Sequence, residues 1–146
     1  MADDTQFCTF LVDGLYFGIE VRKVQEVIRF QEMTRVPLAN PVIKGLINLR
    51  GQIVTAIDLR RELELSDRPA GSLPMNVVVR TSDGAVSLLV DEIGDVRNVD
   101  PGTFERPPET VSGIARELIT GVYKLKERLL LVMDTDRAVN LSSIAA

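Results

Sequence analysis

The chain contains no histidine and no tryptophan, has a single cysteine, and is poor in aromatic residues. Without histidine it lacks the commonest general base and the commonest transition-metal ligand. One cysteine, Cys8, rules out an intramolecular disulfide and a thiolate zinc cluster. No basic residue precedes Arg22 in the strand-like run around Cys8, which is the setting of a buried, inert thiol. Glycine-rich phosphate loops of the Walker or dinucleotide type are missing. These gaps leave no motif for a catalytic residue, a cofactor or a metal. The longest aliphatic run, Leu129 to Met133, is far too short to span a bilayer, so no membrane insertion is expected. Met1-Ala2-Asp3-Asp4-Thr5 has neither the basic start nor the apolar core of a signal peptide, which points to the cytoplasm. A net charge of −4 and few aromatics argue against nucleic-acid binding.

What the chain does have is a repeat. Gly45 to Asp58, with Arg61, and Gly121 to Asp134, with Arg137, run in step at an offset of 76. Glycine, leucine, a basic residue, an aliphatic run and aspartate all coincide. Upstream, Val21, Val24, Glu26 and Val27 match Val90, Ile93, Asp95 and Val96 at an offset of 69, and Arg35 and Pro37 match Arg106 and Pro108 at 71. The growing offset is the signature of loop insertion in a duplicated unit. We read one domain over 1–146, with repeat A at about 6–63, a Ser/Pro/Gly linker at about 64–74, and repeat B at about 75–139. Each copy alone would be marginal in size, so the two are expected to pack on each other.

The dominant hydrophobic period is two. Phe7 to Val12 and Leu15 to Ile19 flank Asp13-Gly14, a strong hairpin signal. Val42 to Leu49 and Gln52 to Ile57 flank Arg50-Gly51 in the same way. Repeat B follows the same plan with Met75 to Thr81, Ala85 to Val90, Leu118 to Leu125 and Arg128 to Met133. Pro101, Pro107 and Pro108 make the intervening stretch irregular. The pattern predicts an all-β fold with minor helix, and about five short strands with tight turns suggest a small barrel in each half.

Few residues invite a chemical reading. Asp58 and Asp134 stand where short helices begin, ending at Leu63 and Leu141, and suit N-caps. A remote alternative is an aspartic-type hydrolase using the same two carboxylates. The sequence around them lacks that chemistry's glycine turn, since Asp136 and Arg60 stand in its place. Arg60 and Arg61 read as a solvated helix face. Residues 22–61 hold eight Lys/Arg against three Asp/Glu, a basic stretch that could face an acidic partner. Arg50 stands apart: a guanidinium on a tight turn between apolar strands suits a carboxylate or several carbonyls across an interface.

Val24-Gln25-Glu26-Val27, Ile43-Lys44-Gly45 with Asn48-Leu49-Arg50-Gly51, Asp58-Leu59-Arg60, Val90-Asp91 and Gly121 together resemble the CheW family of bacterial chemotaxis-type adaptors. The resemblance covers about Phe7 to Val139. It implies two SH3-like five-stranded β-barrel subdomains, packed side by side around separate cores. It also implies a non-enzymatic scaffold that couples chemoreceptor cytoplasmic hairpin tips to the regulatory domain of a CheA-type histidine kinase. Such a scaffold is cytoplasmic and is recruited to receptor arrays at the inner membrane. Carried over by position, the receptor- or kinase-binding residues are Val24, Glu26, Val27, Gly45, Asn48, Leu49, Arg50, Gly51, Val90 and Asp91. A paralogue serving pilus motility or second-messenger control is the alternative. With no receiver domain after the repeats and no kinase core before them, a stand-alone adaptor is expected.

Overall fold

The computed structural model describes residues 6–37, 40–82, 84–111 and 113–139. The acidic N-terminus, Asp83 and the expected helix end at Leu141 lie outside them. Among the described residues there are eleven strands: β1 (Gln6–Val12), β2 (Leu15–Glu20), β3 (Val24–Ile28), β4 (Ile43–Leu49), β5 (Gln52–Asp58), β6 (Met75–Thr81), β7 (Gly84–Val90), β8 (Glu92–Asn98), β9 (Phe104–Glu105), β10 (Ile119–Lys124) and β11 (Leu129–Met133). Helix α1 (Leu59–Glu62) follows β5, α2 (Gly113–Leu118) precedes β10, and α3 (135–139) follows β11. The all-β fold with minor helix is therefore observed. Helix α2 was not expected: it lies in the stretch lengthened in repeat B, where no repeat partner exists to flag it.

The strands form two sheets, ordered β8-β1-β2-β11-β10-β9 and β3-β6-β7-β5-β4. Neither is made from one half of the chain. The first hairpin, β1–β2, joins the strands of repeat B, and the β6–β7 hairpin joins those of repeat A. The expectation of one barrel per half is corrected on this point. The cause lies at the crossovers. Only the 3-10 turn Val21–Lys23 separates β2 from β3, and only Asp91 separates β7 from β8. No residue in these links has the positive φ of the reversing turns at Asp13-Gly14 and Arg50-Gly51, so the chain runs onward into the second sheet.

The registers repeat at the offsets read in the sequence. The parallel pair Thr55↔Val86 in one sheet corresponds to Leu131↔Phe17 in the other. The antiparallel pair Val24↔Val79 corresponds to Ile93↔Phe10. Each sheet closes because the chain beyond its outer strand bends onto the opposite edge. Thr34 bridges Leu46 through two 2.8 Å backbone hydrogen bonds, and Glu105 pairs with Val122. Gly45 and Gly121 sit under these closures. A Cβ on Gly45 would come 2.7 Å from the Thr34 carbonyl oxygen, and one on Gly121 would come 2.7 Å from that of Glu105. A side chain at either glycine would push the closing strand away.

The apolar alternation buries Phe10, Phe17, Leu88 and Leu131 in a cluster that runs through both sheets. The separate cores expected from resemblance are instead one continuous core with two small satellites. Asp58 caps α1, accepting the Arg60 amide at 3.1 Å, and Asp134 accepts the Arg137 amide at 3.1 Å. Both capping expectations therefore hold. Cys8 is half-buried rather than fully buried, and burial raises its thiol pKa, which keeps it protonated and unreactive near neutrality.

Candidate functional site

The β4–β5 turn is built residue by residue. The side chain of Asn48 accepts the Gly51 amide at 2.9 Å, which fastens the turn. Leu49 is buried with Ile47, Val54 and Val78, which anchors it. Gly51 has φ +89° and Arg50 φ +52°, the backbone of a type I′ hairpin turn. Glycine adopts that conformation freely. Arginine does so only at a cost, since its Cβ crowds the following carbonyl.

Arg50 is 74% exposed in its side chain. Its Nη2 donates to Glu26 Oε2 on β3. The fold thus joins two of the residues singled out in sequence, from segments 24 positions apart. Val27 on the same strand is exposed, as is Ile53, which pairs with Asn48 across the turn and is 61% exposed. Glu26 pairs with Val78 and Val27 with Val77, so the two face opposite sides of β3. Sequence reasoning missed Ile53. Its signal was available: Val54 and Ala56 face the core, so alternation turns Ile53 outward.

The other sequence candidates play different parts. Val24 packs on the edge of the main core, and Gly45 lies under the sheet closure. Val90 has no exposed surface, so it cannot touch a partner and can act only through what it packs against. Asp91 is far from Arg50 in role. Its carboxylate accepts Arg60 Nε at 2.9 Å and Nη2 at 2.7 Å, Arg68 Nε at 3.0 Å, and the Asp13 amide at 2.7 Å. Burial alone would raise its pKa, but these hydrogen bonds, Arg60's foremost, outweigh burial and hold it below the usual carboxylate range.

Arg60 corrects the sequence reading. It is buried, not a solvated helix residue, and its third nitrogen, Nη1, donates to the Ser66 carbonyl at 3.0 Å. Arg68, placed in the linker by composition, is equally buried. Neither was identifiable as a partner of Asp91, because the three residues come from separate turns and meet only in three dimensions. Val96 on β8 is a further exposed aliphatic that sequence reasoning did not single out. It is 57% exposed and is the repeat counterpart of Val27, so the repeat itself carried that signal.

Asp58 and Asp134 end strands of different sheets. Each is engaged by its own helix amide and by an arginine, at 3.8 Å from Arg61 and 3.6 Å from Arg137 respectively. Neither is placed for shared-proton chemistry, so the hydrolase alternative has no support in this geometry.

Two interlocked β-barrels that display a guanidinium on a rigid turn, with their carboxylates committed to capping and cross-linking, define an interaction module. The chain belongs to the CheW family: the model of the CheW-like domain matches residues 6–142. Members of this family are non-enzymatic scaffolds. A chemotaxis protein CheW of Bacillus subtilis is 33% identical over 134 residues, covering 92% of this chain and 86% of that protein. A chemotaxis protein CheW of Klebsiella aerogenes is 29% identical over 140 residues, covering 96% and 84%. The crystal structure of the scaffolding protein TtCheW from Thermoanaerobacter tengcongensis superposes with a TM-score of 0.83 at 24% identity, covering 92% of this chain and 91% of that one. That likeness extends the two SH3-like subdomains to this fold. Among the described residues, no helix is long and apolar enough to cross a membrane.

Proposed function

We propose that this protein couples the cytoplasmic hairpin tips of chemoreceptors to the regulatory domain of a CheA-type histidine kinase, as a cytoplasmic adaptor recruited to receptor arrays. The observation that carries the reading is Arg50: an exposed cation held at positive φ and paired with Glu26, with exposed Val27 on β3 and Ile53 on β5. In this reading Glu26, Val27 and Arg50 meet the receptor directly. Asn48, Leu49 and Gly51 hold the turn, Gly45 holds the sheet beneath it, and Val24, Val90 and Asp91 support the surface. Burial of aliphatic side chains supplies affinity, and the Arg50–Glu26 pair supplies orientation. An apolar face of a receptor helix is the complementary shape.

The test is phosphorylation of the cognate kinase with and without this protein and a receptor-tip fragment. Stimulation only when all three are present supports coupling. Absence of binding to either partner rejects it. A second reading keeps the scaffold but moves it to a non-flagellar chemosensory pathway. It is favoured by a match to protein PilI of Pseudomonas aeruginosa, 25% identical over 78% of this chain and 64% of that protein. Binding to a kinase of such a pathway in preference to a flagellar one would select it.

A further inference from the structure

The two crossovers between the sheets deliver the two outer strands, β3 and β8, which the repeat makes equivalent. They are held in different ways. Strand β3 is fastened by Glu26 to Arg50, and Arg80 Nη1 donates to the Arg22 and Val24 carbonyls at 3.2 Å. Neither strand contributes a fully buried residue, and five of the seven residues of β8 are exposed. Strand β8 pairs only with β1, through a register shift between Cys8 and Phe10. Along its length Ile93 packs against the main core, Thr9 Oγ1 donates to the Asp95 carbonyl at 2.5 Å, and Arg97 pairs with Glu127 at 3.0 Å. What stands at its root is Asp91, whose amide donates to the Leu11 carbonyl at 2.9 Å and whose carboxylate gathers Arg60, Arg68 and the Asp13 amide.

We propose that Arg60 and Arg68 are positioning residues which act through Asp91 to set the path of β8, and with it the placement of exposed Val96. The functional half of this inference rests on the receptor-docking reading above; the positional half does not. Asp91 faces both sheets at once. Arg60 on α1, Arg68 in the 64–74 segment and the Asp13 amide of the β1–β2 turn all donate to it. Arg60 also lies 3.7 Å from the Asp13 carboxylate, and Arg68 lies 3.8 Å from that of Asp58. The repeat counterpart of Asp91 is Arg22, an exposed residue that pairs with Glu20. The buried joint thus belongs to one crossover and not the other, so symmetry of the fold does not demand it.

The donors differ in a way that makes the idea testable. Arg60 grips Asp91 with two nitrogens, whereas Arg68 uses Nε alone. A lysine can replace a single point contact but not a two-pronged one. Spin labels would be placed on the full-length protein at Lys44→Cys on β4 and Asp95→Cys on β8, in a Cys8→Ser background. Their distance distribution would be measured alongside receptor-tip affinity in Arg68→Met, Arg68→Lys and Arg60→Lys variants. The expected result is a displaced or broadened distribution, with at least threefold weaker receptor binding, for Arg68→Met and Arg60→Lys. Arg68→Lys should match the parent in both readouts. An unchanged distribution in folded Arg68→Met and Arg60→Lys overturns the proposal; should both fail to fold, Asp91→Asn takes their place under the same criterion. A shifted distribution with parental affinity overturns the link from β8 to the receptor. If the parent itself does not bind the receptor tip, the docking reading fails, and a shifted distribution then supports the joint alone.

Discussion

Replacing Arg50 by asparagine separates what the turn needs from what a partner needs. At φ +52° an ordinary L-residue is strained by about 1–2 kcal/mol, and asparagine is among the few non-glycine residues that visit this region routinely. The substitution therefore relieves a large part of that strain, on the order of 0.5–1 kcal/mol. It also removes the ion pair with Glu26. Because Arg50 is 74% exposed, that pair is worth only about 0.2–1 kcal/mol after screening by water and salt. The two effects oppose each other, so Arg50→Asn should unfold in urea within about 0.5 kcal/mol of the parent. Receptor-tip binding, by contrast, should weaken by about 1–3 kcal/mol, roughly 5- to 150-fold, if Arg50 is a central contact. Urea melts and isothermal titration on the same protein stocks read both quantities. A loss of stability above about 1.5 kcal/mol would show that Arg50 serves the fold. Unchanged binding by a folded variant would remove Arg50 from the docking surface.

Gly45→Ala and Gly121→Ala should each destabilise by about 1–3 kcal/mol in chemical denaturation, because the new methyl presses on a closing backbone carbonyl at 2.7 Å. Melting of either variant at the parental denaturant concentration would contradict the closure described here. Leu131→Ala should lose about 2–5 kcal/mol, since Leu131 is buried in the core shared by both sheets. A normal thermal midpoint would refute that placement. Asp91 is gripped by Arg60, Arg68 and the Asp13 amide, and although burial opposes it, these contacts hold its pKa below the usual range. In the window below about pH 4 the unfolded chain binds the proton first, so the stability that Asp91 supplies is complete above this window. It is lost as pH falls through the folded value. The stability gap between parent and Asp91→Asn should therefore narrow on acidification below about pH 4. A gap that stays constant there in urea titrations would argue against a charged Asp91 in the folded protein.

Much of the local structure was legible in the chain. Asp13-Gly14 and Arg50-Gly51 specified tight hairpins because their backbones adopt positive φ, and both do. Asp58 and Asp134 specified helix starts because a short carboxylate side chain reaches an unpaired amide two or three residues on. Alternation at period two marked the strands, and the tetrapeptide Asn48 to Gly51 marked the exposed cation. Helix α2 was not legible, because Gly113 to Leu118 carries a short pattern without a repeat counterpart. Arg60 was misread because the pattern of a four-residue helix is too short to assign a buried face.

The sequence by itself determined the strands, their turns, their caps and the order in which two similar copies present them. It also determined the surface cation, through a turn that depends only on neighbouring residues. Tertiary structure alone decided which hairpin enters which sheet. Duplication creates two nearly equivalent sheet edges, and the apolar face of β1–β2 is satisfied by either. Pairing along the chain cannot resolve that degeneracy; the short crossovers at Val21–Lys23 and Asp91, together with the core they force the two sheets to share, do. The same is true of the joint around Asp91. A buried arginine requires a counter-charge, and only the folded chain determines that Arg60's comes from a residue 31 positions away.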